Sequence, residues 1–390
     1  MSTATSVRIA SADGKILTYR LSGTFAFRDA AQAPATRIAF AAVHVVADPL
    51  AATTPGGSAP IDWEASLAFR RHVWGYGLGV AEAMDTAQRG AGLDWIAASE
   101  LIRRSAAEAK AVGGRIVCGA QTDQLSPEAA PTLRDVEAAY EEQCELIENA
   151  GGDVVLMASR DLLRVARSGD DYRRLYSNVL ARLARPAIIH WLGAMFDPQL
   201  AGYWGTADQD EAMEVVLGIV TENADKVAGV KLSLLDQERE VRMRRRLPRG
   251  VHMFTGDDYD FPATIGGDSD GHSDALLGAF DGIAPAASAA LLELDAGNRA
   301  RFDEILAPAA TLSRHIFEPP THLYKTGLVF LAYLNGQQSH FRMVGGLEGG
   351  RSTLHLGRLL VLGDRAGLIR DAELAAGRAR GVFSIFGVGQ

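Results

Sequence analysis

The chain has 390 residues, 47% hydrophobic and 22% charged, which is ordinary for a globular protein. That length exceeds a typical single domain but suits one (β/α)8 barrel of roughly 250 residues with additions. A net charge of −9 excludes the basic footprint of a nucleic-acid binder, and two cysteines, Cys118 and Cys144, exclude a disulfide framework.

The opening stretch MSTATSVRIASADGK lacks the apolar core of a secretory signal, and apolar runs of about 18 residues do not occur. A cytoplasmic protein with neither membrane nor nucleic acid as partner is expected. Residues 7–20 predict two short strands joined through Asp13-Gly14, a hairpin that would close the bottom of a barrel or join a subunit interface. A loop rich in Ala and Pro runs on to Arg37, so residues 1–36 read as an N-terminal hairpin extension.

Eight apolar runs bounded by turn residues follow. They are IAFAAVHVVADP from Ile38, GLGVAEAMD from Gly77, GRIVCGAQTD from Gly114 and GGDVVLMAS from Gly151. RPAIIHWLG from Arg185, VAGVKLSLLD from Val227, GVHMFTGDD from Gly250 and a weaker DALLGAF from Asp274 complete the series. Such runs are what parallel strands, buried on both faces, require. Between them lie segments of helical spacing such as LRDVEAAYEEQCELIENAG, which ends at a Gly151 C-cap. Strands alternating with helices predict an α/β fold, a (β/α)8 TIM barrel over residues 37–285. The GxGxxG fingerprint of an open nucleotide-binding sheet does not follow the first strand. From residue 286 to 390 the pattern turns mostly helical and predicts a C-terminal helical subdomain.

Barrel enzymes carry their chemistry at the C-terminal ends of the strands. Reading each run to its end gives His44, Glu82 with Asp85, Gln121 with Asp123, Arg160, His190, Lys231, and Asp257 with Asp258. Polar residues also mark where strands enter loops, so position alone assigns no role. Lys231 has the strongest case. Of 39 basic residues only five are lysine (Lys15, Lys110, Lys226, Lys231 and Lys325), so a lysine inside an apolar strand is hard to read as surface decoration. Burying an ammonium costs several kcal/mol unless it is paired or neutralised, and desolvation lowers its pKa, as a Schiff-base nucleophile needs. The alternative is a packed stem whose head reaches solvent.

His190, with an ordinary pKa near 6.5, suits a general acid or base, or else a core histidine satisfied by backbone. Asp85 and Arg160 complete the catalytic candidates, and His44, Glu82, Gln121, Asp257 and Asp258 are the substrate-binding ones. His44, Glu82, Asp85 and His190 could instead converge on a divalent metal, although no spacing motif such as HExxH supports this. The basic run from Arg239 to Arg249 reads as a solvated helix face, and His315, His322, His340 and His355 as structural or interfacial.

At this point a family resemblance becomes visible. VAGVKLSLLD resembles the lysine strand of the dihydrodipicolinate synthase/N-acetylneuraminate lyase superfamily, the Schiff-base-forming class I aldolases. PIDWEASLAFRRHVWGYGLGV is similar to that family's first helix and second strand. HMFTGDDYDFPATIGGDSDGHSDALLGAF resembles its seventh strand, Gly-Asp-Asp turn and eighth strand, and HLYKTGLVFLAYLNG a helix of its C-terminal subdomain. Coverage runs over residues 37–370. The resemblance implies a barrel with C-terminal helices and a carbonyl substrate captured by Lys231 as an imine, with no cofactor. Two departures stand out. Where the family's Gly-Thr-Thr-Gly-Glu-like turn binds a carboxylate, this chain reads EAMDTAQ, and the anionic Asp85 would repel one. Where the family's proton-relaying tyrosine follows the fourth strand, MASRD puts Arg160.

Three functions remain open on the sequence. The first is a class I aldolase-type lyase acting on a non-phosphorylated keto sugar or a related keto compound, in a homo-oligomer. The second is a metal-dependent sugar isomerase, epimerase or lyase on the same barrel. The third is a non-catalytic carbohydrate-binding or regulatory barrel, since a barrel fold alone does not choose a chemistry.

Overall fold

The computed structural model describes residues 4–28, 32–52, 60–126, 128 and 130–388. Residues 1–3 and 29–31 of the expected N-terminal extension lie outside the described residues. Strands β1 (Ser6–Ala10) and β2 (Ile16–Arg20) form the antiparallel hairpin, with Ser6 opposite Arg20 and Ala10 opposite Ile16. Eight parallel strands then close a barrel: β3 (Ala39–Ala42), β4 (Gly79–Glu82), β5 (Ile116–Ala120), β6 (Asp153–Leu156), β7 (Ala187–Leu192), β8 (Val227–Ser233), β9 (His252–Thr255) and β10 (Asp274–Leu277). β10 pairs with β3 to complete the ring.

Helices α1 (Trp63–Gly75), α2 (Trp95–Val112), α3 (Leu133–Ala150), α4 (Arg160–Val165) and α5 (Gly169–Arg182) cover the first half of the barrel. α6 (Gln209–Glu222), α7 (Gln237–Arg244), α8 (Phe261–Gly266) and α9 (Ala279–Asp295) cover the second. Local chemistry fixes their ends. In α3 the Thr132 side chain and Asp135 cap each other's backbone N–H groups, and Gly151 ends the helix at φ 94°, a conformation that costs glycine little. α10 (Arg299–Ile316), α11 (Tyr324–Leu334), α12 (Thr353–Arg365) and α13 (Ala372–Ile385) form the C-terminal helices. The expected boundary at 285 falls inside α9, where Pro285 follows a kink at Ile283, so the barrel's last helix is also the first of the C-terminal part.

Strand alternation separates two apolar layers. Phe40, Ala42, Ala81, Val117, Val155, Ile188, Phe254 and Leu276 fill the inside of the ring. Their neighbours, such as Ala41, Val80, Cys118, Val154, Ile189 and Ala275, pack outward on the helices. One irregularity matters to the site. Ala187 pairs with Val227 but Ile188 pairs with Gly229, so β8 carries an extra residue there. Such a bulge shifts the alternation by one position and re-aims the side chains beyond it. Val227 therefore faces the helices while Gly229, Lys231 and Ser233 face the interior.

The hairpin does not close the barrel bottom. The Tyr19 hydroxyl donates to Asp364 Oδ2 at 2.7 Å, the Ser22 N–H donates to the same carboxylate, and Arg380 reaches the Ser6 carbonyl at 2.8 Å, so it lies against α12 and α13. Among the described residues no helix is long and apolar enough to cross a membrane.

Candidate active site

Lys231 lies on the inner face of the sixth barrel strand, paired in register with His190 on β7 and Phe254 on β9, and is 4% exposed. Its room comes from Gly256, where a Cβ would sit 2.1 Å from Ser233 Oγ and 3.1 Å from Lys231 Cε. Burial pushes the ammonium below its ordinary pKa, while Asp85 and Asp258 pull the other way. Neither carboxylate forms a direct ion pair with it. Asp258 accepts from the Ala279 N–H at 2.8 Å, and burial raises its carboxyl to about 8 against the pull of Lys231. Amine and carboxyl thus share their proton as a pair.

His190 Nε2 meets Ser233 Oγ at 3.1 Å, and its Nδ1 is buried without a partner. Burial, and then the charge of Lys231, pushes the imidazole well below its ordinary pKa. The ring is therefore neutral at pH 7, which suits a hydrogen-bonding dipole better than the titrating acid or base expected from the sequence.

Asp85 opens a short 3-10 turn directly after β4. The turn begins at Ala83, a non-glycine residue with φ 51°, a conformation that costs about 1–2 kcal/mol. Two neighbours hold it: Glu82 Oε1 accepts the Ala83 N–H at 2.8 Å, and Arg89 donates to the Ala83 carbonyl at 3.3 Å. Burial opposes the Asp85 charge, but Lys231, Lys325, His190 and the Tyr324 hydroxyl together hold its carboxyl below the usual range. That hydroxyl donates to Asp85 Oδ2 at 2.5 Å and meets Thr86 Oγ1 at 2.9 Å. Burial and the Asp85 charge raise the phenol well above its ordinary pKa.

Above this layer opens a cavity of about 870 Å3 lined by Asp85, Gln121, Arg160, Asp197, His322 and Lys325, among others. Lys231 and His190 are not part of its lining, and Asp85 belongs to both levels. Arg160 donates to Asp197 Oδ2 at 2.7 Å on one wall. Gln121 donates to the Ala158 carbonyl at 2.9 Å. The Lys325 ammonium lies 4.5 Å from the Tyr324 ring centroid, and burial lowers its pKa against the pull of Asp85 and Asp197.

Other sequence candidates lie elsewhere. Glu82 points outward, where Arg70 on α1 grips it through both guanidinium arms at 2.8 and 2.9 Å and Ser105 donates at 2.6 Å. Among the helices it holds the Asp85 turn through the Ala83 N–H. His44 turns toward α9 and Gln338, with Asp281 Oδ2 at 2.7 Å from Nδ1 and Gln338 Oε1 at 3.0 Å from Nε2. Asp257 accepts the N–H groups of Tyr259 and Asp260 at 2.8 and 3.1 Å, and so fixes the turn after β9. Asp123, by contrast, lies on the cavity wall, where it takes both arms of Arg89 at 2.6 Å. With Glu82 and His44 engaged in the helix layer, the four-residue metal site envisaged from sequence does not assemble.

Tyr324 and Lys325 were not among the sequence candidates, because HLYKTGLVFLAYLNG reads simply as an apolar helix. The signal was present nonetheless. Lysine is rare in this chain, and Tyr-Lys-Thr is the polar start of a helix otherwise buried almost throughout.

Solved structures of low sequence identity share the fold. Dihydrodipicolinate synthase from Aquifex aeolicus matches with a TM-score of 0.64 at 12% identity, over 85% of this chain and 99% of its own. The 4-hydroxy-tetrahydrodipicolinate synthase from Methylacidiphilum fumariolicum SolV matches at 0.60 and 15%, over 85% and 98%. The Oceanobacillus iheyensis dihydrodipicolinate synthase matches at 0.55 and 14%, over 77% and 88%. No curated protein matches the sequence. The family model that does match spans residues 7–388, and the chain belongs to that family, described as a protein of unknown function, DUF993.

Proposed function

We propose that this protein is a class I aldolase-type lyase that captures a carbonyl substrate as an imine on Lys231. The observation that carries the reading is a desolvated lysine on the inner face of the sixth barrel strand, opposed by Asp85 and Asp258 without a direct ion pair. The neutral amine adds through its lone pair to the carbonyl carbon. The carbonyl oxygen receives one proton from the attacking nitrogen and a second from Asp258, suited to this as a neutral acid, and leaves as water. In C–C cleavage the iminium accepts the electron pair of the Cα–Cβ bond as the β-hydroxyl gives up its proton and leaves as a carbonyl. In C–O cleavage it first accepts the Cα–H pair as that proton is removed, and the enamine so formed expels the β-oxygen, which leaves protonated with its electron pair. Asp85 with Tyr324 handles the proton lost or gained, in place of the tyrosine the resembling family carries after its fourth strand. Protonation of the resulting enamine and attack by water release product and free amine.

The cavity supports a polyhydroxy substrate such as a non-phosphorylated keto sugar. Its lining carries acceptors (Asp85, Asp161, Asp197) and donors (Arg160, Arg164, Lys325, Gln121), with Arg160 paired to Asp197 and Arg164 to Asp161, around a volume ample for a small sugar. A second reading makes Lys325 the imine-forming amine, favoured by the fact that Lys325 lines the cavity directly and Lys231 does not. The test is borohydride reduction against a panel of keto acids and keto sugars, followed by peptide mapping. An adduct on Lys231 supports the proposal, one on Lys325 replaces it with the second reading, and no adduct with any substrate turned over removes both.

A further inference from the structure

The C-terminal histidines form a cluster unconnected with the carbonyl chemistry above. His315 ends α10, Glu318 follows in the next turn, and His355 comes across from α12. One ligand-type atom from each lies within 4.8 Å of the others. The rings of His315 and His355 stack at 4.1 Å and 23°, and both residues are more than nine-tenths buried.

Hydrogen-bond accounting shows something missing between them. His315 Nε2 lies 2.9 Å from the His355 carbonyl oxygen, which only accepts, so Nε2 carries the proton. In the neutral ring Nδ1 is then a bare lone pair, yet it faces Glu318 Oε2 at 3.1 Å, lone pair against carboxylate. His355 Nδ1 faces the other oxygen, Oε1, at 2.9 Å, and its Nε2 is buried with no partner. The nearby Arg351 feels the Glu318 charge but makes no hydrogen bond to the carboxylate. It donates instead to the carbonyls of Ile316, Glu318 and Pro320. A positive species belongs among the three side chains.

We propose that His315, Glu318 and His355 bind a divalent transition metal ion of the zinc type, with a position left for water. Two imidazoles and a carboxylate are a zinc-type donor set. Bonds of about 2.0–2.1 Å in tetrahedral geometry put donor atoms about 3.3 Å apart, whereas the three donors here lie within 4.8 Å of one another, so the stacked rings must turn to bring both Nδ1 lone pairs onto the ion. The His315 to carbonyl bond is the outer contact that fixes a ligating tautomer. The ion would clasp α10 to α12 directly behind Phe317, whose ring stacks on Tyr324 at 4.3 Å.

The test uses the full chain stripped with chelator and titrated with cobalt(II), then zinc. One equivalent of cobalt should give the visible absorption of a four-coordinate site, zinc should displace it, and His315→Gln and His355→Gln should each abolish it. Saturating zinc should also raise the Tm of the unmodified chain by several degrees, a readout that needs no variant to fold. No cobalt band together with an unchanged Tm would overturn the proposal. A band that persists in both histidine variants would equally overturn it. Neither readout depends on the imine.

Discussion

Glu82 and Lys231 are both buried charges at barrel-strand ends, and which layer each faces decides its role. Glu82 follows the inward Ala81 and so points at the helices, where Arg70 neutralises it. Glu82→Ala leaves that guanidinium buried and unpaired, so a loss of roughly 3–5 kcal/mol in stability is expected by denaturant titration. Unchanged stability would show that the pair does not hold the helix layer. Tyr324→Phe keeps the ring stacked on Phe317 and removes only the hydroxyl that donates to Asp85. It should lower kcat by about 10²–10⁴-fold with the fold intact, and wild-type kcat would take Tyr324 out of the proton path. Gly256→Ala puts a methyl against Ser233 and Lys231 and should suppress imine trapping even where the protein stays folded. Strand ends were legible in the sequence, but the facing of their side chains was not. Facing depends on the extra residue in β8 and on turns such as Ala83, neither of which has a sequence signature.

Between elements, a buried carboxyl ties α7 to β9 and β10. Glu240 accepts from Thr255 at 2.8 Å and Ser273 at 2.7 Å, and burial raises its pKa from 4.5 to about 7 despite those bonds. A raised pKa means the folded state holds a proton that the unfolded state has lost. Its contribution is thus fully present below pH 4.5 and is lost as pH rises to about 7. Glu240→Gln should flatten the stability profile across that window, by up to about 3 kcal/mol, in thermal melts at several pH values. A slope unchanged in the variant would contradict the assignment. In the sequence this residue lay in a run read as a solvated helix face. That holds for Arg242, Arg245 and Arg246 but not for Glu240, which faces inward one position after Arg239.

At the scale of the molecule, the barrel and its order of strands were legible, because eight apolar runs separated by amphipathic helices leave few alternatives. The division expected at 285 falls inside α9, and the change in pattern there marks the end of the strands. The site itself is shared: Lys231, His190 and Asp85 come from the barrel, Tyr324 and Lys325 from α11. Residues 37–295, which keep α9 whole, should therefore fail to give a cooperative thermal transition when expressed alone, because the apolar faces of α9 that pack on α10 and α11 lose their cover. A sharp transition for that fragment would show the barrel to be self-sufficient.

The central claim, an imine on Lys231, is tested most directly by the intact mass of four proteins after borohydride reduction with one substrate: the native chain, Lys231→Ala, Lys325→Ala and Lys226→Ala. Lys226 sits at the opposite end of the barrel, its ammonium on the Leu183 carbonyl at 2.8 Å, and serves as control. The adduct mass should appear in the native chain, Lys325→Ala and Lys226→Ala, and be absent from Lys231→Ala. An adduct that persists in folded Lys231→Ala would contradict the account.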